Sequence, residues 1–148
     1  MPDLLNIVCP HCNAVNQLPL HSLKKDPKCG KCGDLIFTGY PIVLESSNFQ
    51  KHISRNDIPV IVNFWASWSE DCRLMSPAFA LAASRVEPRI RLAKINKDTE
   101  QEVATRLAIL SVPTLVLFKK GKEIDRAYEV FDIAGLLKWI KTHALARL

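Results

Sequence analysis

Apolar positions along this chain fall into two regimes, and the change of regime marks its organisation. From residue 59, "PVIVNFWA" is an almost unbroken apolar run, the pattern of a strand buried on both faces. "IRLAKIN", 90–96, repeats that pattern, and "IVLE", 42–45, is a shorter strand. Between them the period lengthens to that of helices. "SSNFQKHISRN" has a Ser/Asn start and places Phe49 and Ile53 four apart. A longer helix is predicted from about Ser69 to Val86, with Pro77 inside it as a kink. "EQEVATRLAI", 100–109, predicts a third helix. "TLVLFKKGKEIDRAYEV", 114–130, reads as a hairpin turning at Lys120-Gly121. The last helix starts at Asp132 as N-cap and is expected to bury Ile133, Leu136, Leu137, Ile140 and Ala144. The predicted order is β-α-β-α-β-α-β-β-α. Early alternation and a late hairpin imply an α/β fold, a mixed central sheet with helices on both faces.

Residues 1–40 follow neither period well. They hold four of the five cysteines, four of the nine prolines and no tryptophan. Such a segment buries little on its own and needs a staple. A boundary is placed at "TGYP", Thr38 to Pro41, giving two expected units, 1–40 and 41–148. The whole chain of 148 residues is 48% hydrophobic and 24% charged, a globular balance. Its formal charge of +5 comes from scattered basic residues without a Lys/Arg run, which argues against nucleic-acid binding as the main task. No apolar run approaches the roughly 18 residues needed to span a membrane. The N-terminus lacks a basic start followed by a long apolar stretch, so the expected compartment is the cytoplasm. There cysteines stay reduced unless they bind metal or do redox work.

The four early cysteines are Cys9 and Cys12 in "CPHC" and, after sixteen residues, Cys29 and Cys32 in "CGKC". Two CxxC pairs at this separation match a structural zinc pattern, which predicts one zinc per chain. Each pair supplies two thiolates from one tight turn, hence two corners of a tetrahedron. Asn13 and Gly33 follow the pairs and tolerate the positive φ that closes such a turn. Lys24, Lys25, Lys28 and Lys31 would partly offset a four-thiolate charge. The competing readings are two structural disulfides, or one CxxC acting as a redox pair. His11 is a weaker ligand choice because it lies inside a knuckle.

The fifth cysteine lies in "WASWSEDC". Locally this is a well-capped helix start: Ser69 is a good N-cap, and Glu70 and Asp71 suit the helix dipole. Cys72 then lies one turn in. The wider stretch "VNFWASWSEDCRLMSP" resembles the active-site segment of thioredoxins, which carry Trp-Cys-Gly-Pro-Cys after a Phe-Trp-Ala strand end. "AKIN", "SVPTLVLFKKGK" and the proline at 77 extend the resemblance over residues from about 42 to 146. With the cysteine-rich segment in front, the layout is similar to the thioredoxin-2 type of bacterial thioredoxin.

The resemblance implies a thioredoxin fold behind a small zinc ribbon, and a thiol–disulfide oxidoreductase. It implies protein clients with thiols or disulfides, with a thioredoxin reductase as a candidate partner. Ser69 occupies the attacking-cysteine position and Cys72 the resolving one. A hydroxyl without activation cannot carry out thiol–disulfide exchange. Asn63 stands where the family usually has a buried Asp, and Lys94 matches the lysine that accompanies that Asp. Glu70-Asp71 replaces Gly-Pro and puts negative charge beside any thiolate at Cys72, so a sluggish nucleophile is expected. A small groove residue of the family falls at Glu129 or Val130. A single replaced cysteine accounts for Ser69, but not for Asn63 or Glu70-Asp71. "SVPT" matches the family's loop with a cis proline, here Pro113, and Val112 would offer its backbone to a client strand. Trp68 would shape one wall, while Trp65, Phe64 and Phe118 are expected in the core. Dithiol reductase chemistry is expected to be very weak. The alternative is a redox-silent binding or chaperone-like module that uses the same groove.

Overall fold

The computed structural model describes residues 3–145. The outer ends of the two expected units, 1–2 and 146–148, lie outside the described residues.

The chain opens with a hairpin of β1 (Leu4–Val8) and β2 (Val15–Pro19), in register from Leu4 opposite Pro19 to Val8 opposite Val15. A second knuckle is closed by a bridge between Lys28 and Leu35. The nine elements that follow keep the predicted order. They are β3 (Ile42–Val43), α1 (Phe49–Arg55), β4 (Val60–Trp65), α2 (Glu70–Val86), β5 (Arg91–Asn96), α3 (Gln101–Arg106), β6 (Thr114–Lys119), β7 (Lys122–Ala127) and α4 (Ile133–Ile140). A wide turn over Lys141–Leu145 prolongs α4. The sheet order is β3-β5-β4-β6-β7. β5 runs parallel to β3 and β4, whereas β6 runs antiparallel to β4 and β7. The mixed sheet follows from the hairpin, because Lys120 and Gly121 both take positive φ and reverse the chain tightly.

β4 is central, and its side chains alternate between two cores. Val60, Val62 and Phe64 join Phe49, Ile53 and Phe118 on the α1/α3 side. Ile61 joins Met75, Phe79, Leu115 and Leu136 on the α2/α4 side. Asn63 and Trp65 share the parity of Ile61, so they face α2. On α4, Leu136, Ile140 and Ala144 are buried as expected, while Ile133 and Leu137 are only partly covered. Pro77 lies within α2, as the sequence predicts, and is exposed.

The N-terminal segment has a small core of its own, Ile7, Cys9, Leu23, Cys29 and Ile36, which Ile58 completes from the sheet domain. A polar seam fastens the two. Asn56 Oδ1 accepts from Val8 N at 2.8 Å, and Asp57 Oδ2 accepts from Asn6 N at 2.7 Å. Arg91 is fully buried at the start of β5, with Nη1 2.7 Å from Glu87 Oε2 and Nη2 donating to Val8 O at 3.2 Å. Its guanidinium lies 4.8 Å from the centre of the Phe37 ring. Glu87 Oε1 also accepts from Gly39 N at 2.8 Å. Burial pushes the Glu87 carboxyl up and the Arg91 guanidinium down, and each partner opposes the other's shift. Breaking such a pair strands a buried charge.

His52, also fully buried, reaches the first knuckle: its Nε2 is 2.8 Å from Asn13 Oδ1. Desolvation, then the Arg91 and Lys51 charges, lowers its pKa to about 4.

Glu87→Gln should lower stability by about 3–5 kcal/mol in urea unfolding, and Glu87→Leu/Arg91→Met should lose clearly less than the two single variants summed. His52 binds fewer protons folded than unfolded. Its contribution is therefore complete above pH 6.5 and is lost as pH falls towards about 4. The full loss is about 3 kcal/mol. His52→Gln should flatten the pH dependence of stability in that window by one proton.

Candidate functional site

Two groups of chemically capable side chains stand out. The first is the N-terminal sulfur cluster. The chain turns back at each CxxC in the same way: Asn13 N donates to Cys9 O at 3.0 Å and Gly33 N to Cys29 O at 2.9 Å. Asn13 and Gly33 take φ of 64° and 82°, the left-handed conformation expected of both. The amides of His11 and Lys31, each two residues after a cysteine, lie 3.4 Å from Cys9 Sγ and Cys29 Sγ. The knuckles face each other and bring Cys9, Cys12, Cys29 and Cys32 together, with all four sulfur atoms within 4.8 Å of one another. Cys9 Sγ lies 3.7 Å from Cys32 Sγ, and Cys12 Sγ lies 3.6 Å from Cys29 Sγ. Four thiolates bound tetrahedrally at about 2.3 Å would sit about 3.8 Å apart, so the donors fit one metal ion. The protons are distributed unevenly over the cluster. The Cys32 amide, then the Asn16 side chain, pull the Cys29 thiol down to about 6. The Asp34 amide would lower Cys32, but burial and the other three cysteines push it up to about 12. Four thiolates here call for a cation. His11 is not one of the clustered donors, and its Nδ1 lies 3.9 Å from Asp34 Oδ2.

The second group surrounds Cys72. Ser69 caps α2 from an extended backbone conformation, and its Oγ accepts from Cys72 N at 3.2 Å. Ser69 is 6% exposed. Cys72 is buried at 5%, whereas Glu70 and Asp71 are exposed on the first turn. Asn63 pairs in register with Lys94 on β5 and is 5% exposed. Its Oδ1 is buried without a hydrogen-bond partner. Lys94 makes no ion pair with a carboxylate among the described residues, and its Nζ lies 5.9 Å from the centre of the Trp65 ring.

Cys72, Asn63, Lys94 and Trp65 line one cavity of about 450 Å³. Trp65 therefore departs from the core position expected of it. It ends β4 and is half-buried. Phe64 and Phe118 are core residues as expected. Tyr40, Pro41 and Val43 also line the cavity. The sequence shows this stretch only as punctuation between units, and no motif marks it.

The residues expected to form a client groove do not line this cavity. Val112-Pro113 is a cis peptide bond, as expected, and a second one at Glu87-Pro88 was not. Pro113 is buried, Val112 is half-buried, and neither lines the cavity. They precede β6 where Thr114 pairs with Phe64, and so lie level with the C-terminal end of β4. Trp68 is 65% exposed in the loop after β4, and its Nε1 donates to Asp98 Oδ2 at 2.8 Å. Glu129 and Val130 are exposed beyond β7. Among the described residues, no helix is long and apolar enough to cross a membrane.

Comparison with known proteins agrees with this geometry. Residues 40–142 match the thioredoxin family model, and residues 8–34 match the thioredoxin 2 N-terminal zinc-ribbon model. Thioredoxin C-3 of Corynebacterium nephridii is 34% identical over 134 residues, 90% of this chain and 92% of its own. Thioredoxin 1 of Nostoc sp. is 38% identical over 97 residues, 66% of this chain and 91% of its own. A solved structure, a mutant thioredoxin from Halobacterium salinarum, superposes with a TM-score of 0.63 at 26% identity, covering 72% of this chain and 92% of that one. The chain belongs to the thioredoxin family, with a thioredoxin 2-type N-terminal ribbon ahead of its thioredoxin domain.

Proposed function

We propose that this is a thioredoxin-2-like protein of the thiol–disulfide oxidoreductase class, one that binds protein thiol or disulfide clients but is a very weak dithiol reductase. The observation that carries this reading is the pairing of Ser69 with Cys72. A lone thiol stands one turn into α2, and the hydroxyl before it is used as a helix cap. Exchange at such a site stops halfway. The Cys72 thiolate attacks one sulfur of a client disulfide, a Cys72–client disulfide forms, and the other client sulfur leaves as a thiolate. No second thiol in the site attacks the new bond, so release needs an external thiol. An amide such as Asn63 has hydrogen-bonding groups but does not accept or supply a proton at neutral pH, so it would not relay protons to Cys72.

Binding capacity is supported by the same end of the sheet. β4 ends, β6 begins and β7 ends together, and the exposed apolar residues Trp68, Leu110, Tyr128 and Val130 belong to the adjoining loops. Val112, beside the cis Pro113, is placed for strand addition by an extended client. Clients and a reductase partner of thioredoxin type follow from family membership, and a cytoplasmic location follows from the reduced cysteines that this chemistry requires. The second reading is the redox-silent binding or chaperone-like module. It is favoured by the burial of both Ser69 and Cys72, which keeps covalent chemistry slow.

The ion in the ribbon is inferred to be a single structural zinc, held by Cys9, Cys12, Cys29 and Cys32. An all-thiolate closed tetrahedron suits zinc and leaves no open position for catalysis.

Insulin reduction by the chain as it stands should remain near background, and Ser69→Cys should raise it by at least about tenfold. A rate equal to that of an intact dithiol thioredoxin before substitution would overturn the reading. Cys72→Ser separates the two functions. It should abolish mixed disulfides with a client, while any suppression of client aggregation that survives it belongs to the redox-silent module. Elemental analysis should find one zinc per chain. Cys29→Ser should lower that stoichiometry and the stability of the N-terminal segment together, and full retention of zinc would exclude the four-cysteine assignment.

A further inference from the structure

The two knuckles of the ribbon are built alike, but one side chain breaks their equivalence. In each, the amide two residues after the first cysteine donates to that cysteine's sulfur: His11 N to Cys9 Sγ and Lys31 N to Cys29 Sγ, both at 3.4 Å. Cys29 Sγ has a further donor, the side chain of Asn16, with Nδ2 at 3.5 Å. Asn16 is half-buried on β2 and pairs in register with Ile7 on β1. It therefore belongs to the hairpin that carries the first pair of cysteines, and its side chain reaches the second pair. Its Oδ1 accepts from Gly30 N at 2.9 Å, and Nδ2 also donates to Ala14 O at 3.2 Å. Gly30 N can only donate and Ala14 O can only accept. These two contacts fix which way the amide lies: oxygen towards the second knuckle's backbone, nitrogen towards Ala14 and the sulfur.

We propose that Asn16 is a positioning residue of the metal site, one that ties the two knuckles together and holds the Cys29 sulfur in place through an N–H···S hydrogen bond. The proposal rests on the four-cysteine metal reading above and adds a residue that orders the site. A metal-bound thiolate keeps part of its negative charge, and an N–H donor beside it stabilises that charge and fixes the sulfur's direction. The amide is already held by Gly30 and Ala14, so little ordering is left to do when a metal binds. Leu at 16 would remove both the donor to sulfur and the acceptor for Gly30 N. Asp would keep the acceptor and remove the donor. The pair of variants therefore separates the sulfur contact from the tie between the knuckles.

¹¹³Cd is the probe, since thiolates bind soft metals well. In the full chain loaded with ¹¹³Cd, a scalar coupling across the hydrogen bond should join the metal to an Asn16 side-chain proton, as another should join it to the Lys31 amide proton. A coupling at Lys31 without one at Asn16 overturns the proposal. In competition with a chromophoric chelator, Asn16→Asp and Asn16→Leu should each weaken zinc binding by at least about tenfold, the usual cost of losing a partner of a metal ligand. A merely structural tie predicts loss in Asn16→Leu alone, so unchanged affinity in Asn16→Asp overturns the proposal as well. The coupling is measured on the unsubstituted protein, so that arm does not depend on a variant folding. A chain that takes up no metal at the four cysteines overturns the metal reading together with this proposal, whereas one metal per chain without the Asn16 coupling overturns this proposal alone.

Discussion

A central strand buried on both faces has to commit every side chain to one core or the other, and β4 is that strand. Its even positions, Val60, Val62 and Phe64, go to the α1/α3 core, and its odd positions go under α2. This alternation decides what stands behind Cys72. Asn63 is odd, so its amide faces the start of α2, and Trp65 follows on the same side. β5 runs parallel in register and brings Lys94 opposite Asn63. A slip of one residue would send Asn63 and Trp65 into the other core and carry Val62 and Phe64 under α2. The packing of two hydrophobic cores thus sets the positions of the polar groups in the site.

A second constraint joins the ribbon to the sheet. The ribbon's core is too small to close alone, and Ile58 completes it from the other domain. Around that contact lie groups that are expensive to bury: Arg91 with Glu87, His52 with Asn13, and Asn56 with Val8 N. Their partners come from both sides of the seam. Asn13, which closes the first knuckle at positive φ, is also the acceptor for His52. Closure of the first knuckle and docking on the sheet domain therefore share one residue.

Much of this was legible in the sequence because it rests on short-range rules. Period alone separates β4 from α2. Ser69 and Asp132 mark the helix starts, and their side chains do accept from Cys72 N and Gly135 N. Lys120-Gly121 marks the hairpin, and the spacing of four cysteines marks a metal cluster. What was not legible depends on contacts between distant positions. Nothing near Arg91 announces that Val8 and Phe37 will cover it. Trp65 reads as core because it ends an apolar run, and only its place among residues of β3, β5 and α2 around the cavity shows otherwise. Ile133 and Leu137 carry the right period but lie at the edge of the helix–sheet contact.

The site differs from an intact dithiol site at several linked points. With oxygen at position 69, the best use of the group is to satisfy an orphan amide of the helix, and that is what its Oγ does. Ser69 is also 6% exposed, so its hydroxyl is withdrawn from solvent as well as engaged. Asn63, as a neutral amide, avoids the desolvation cost that a carboxylate would meet in the same place. Lys94 makes no ion pair with a carboxylate among the described residues, and its ammonium lies 5.9 Å from the centre of the Trp65 ring. A capping hydroxyl at 69 and a neutral amide at 63 thus leave Cys72 without a second thiol on the first turn of α2.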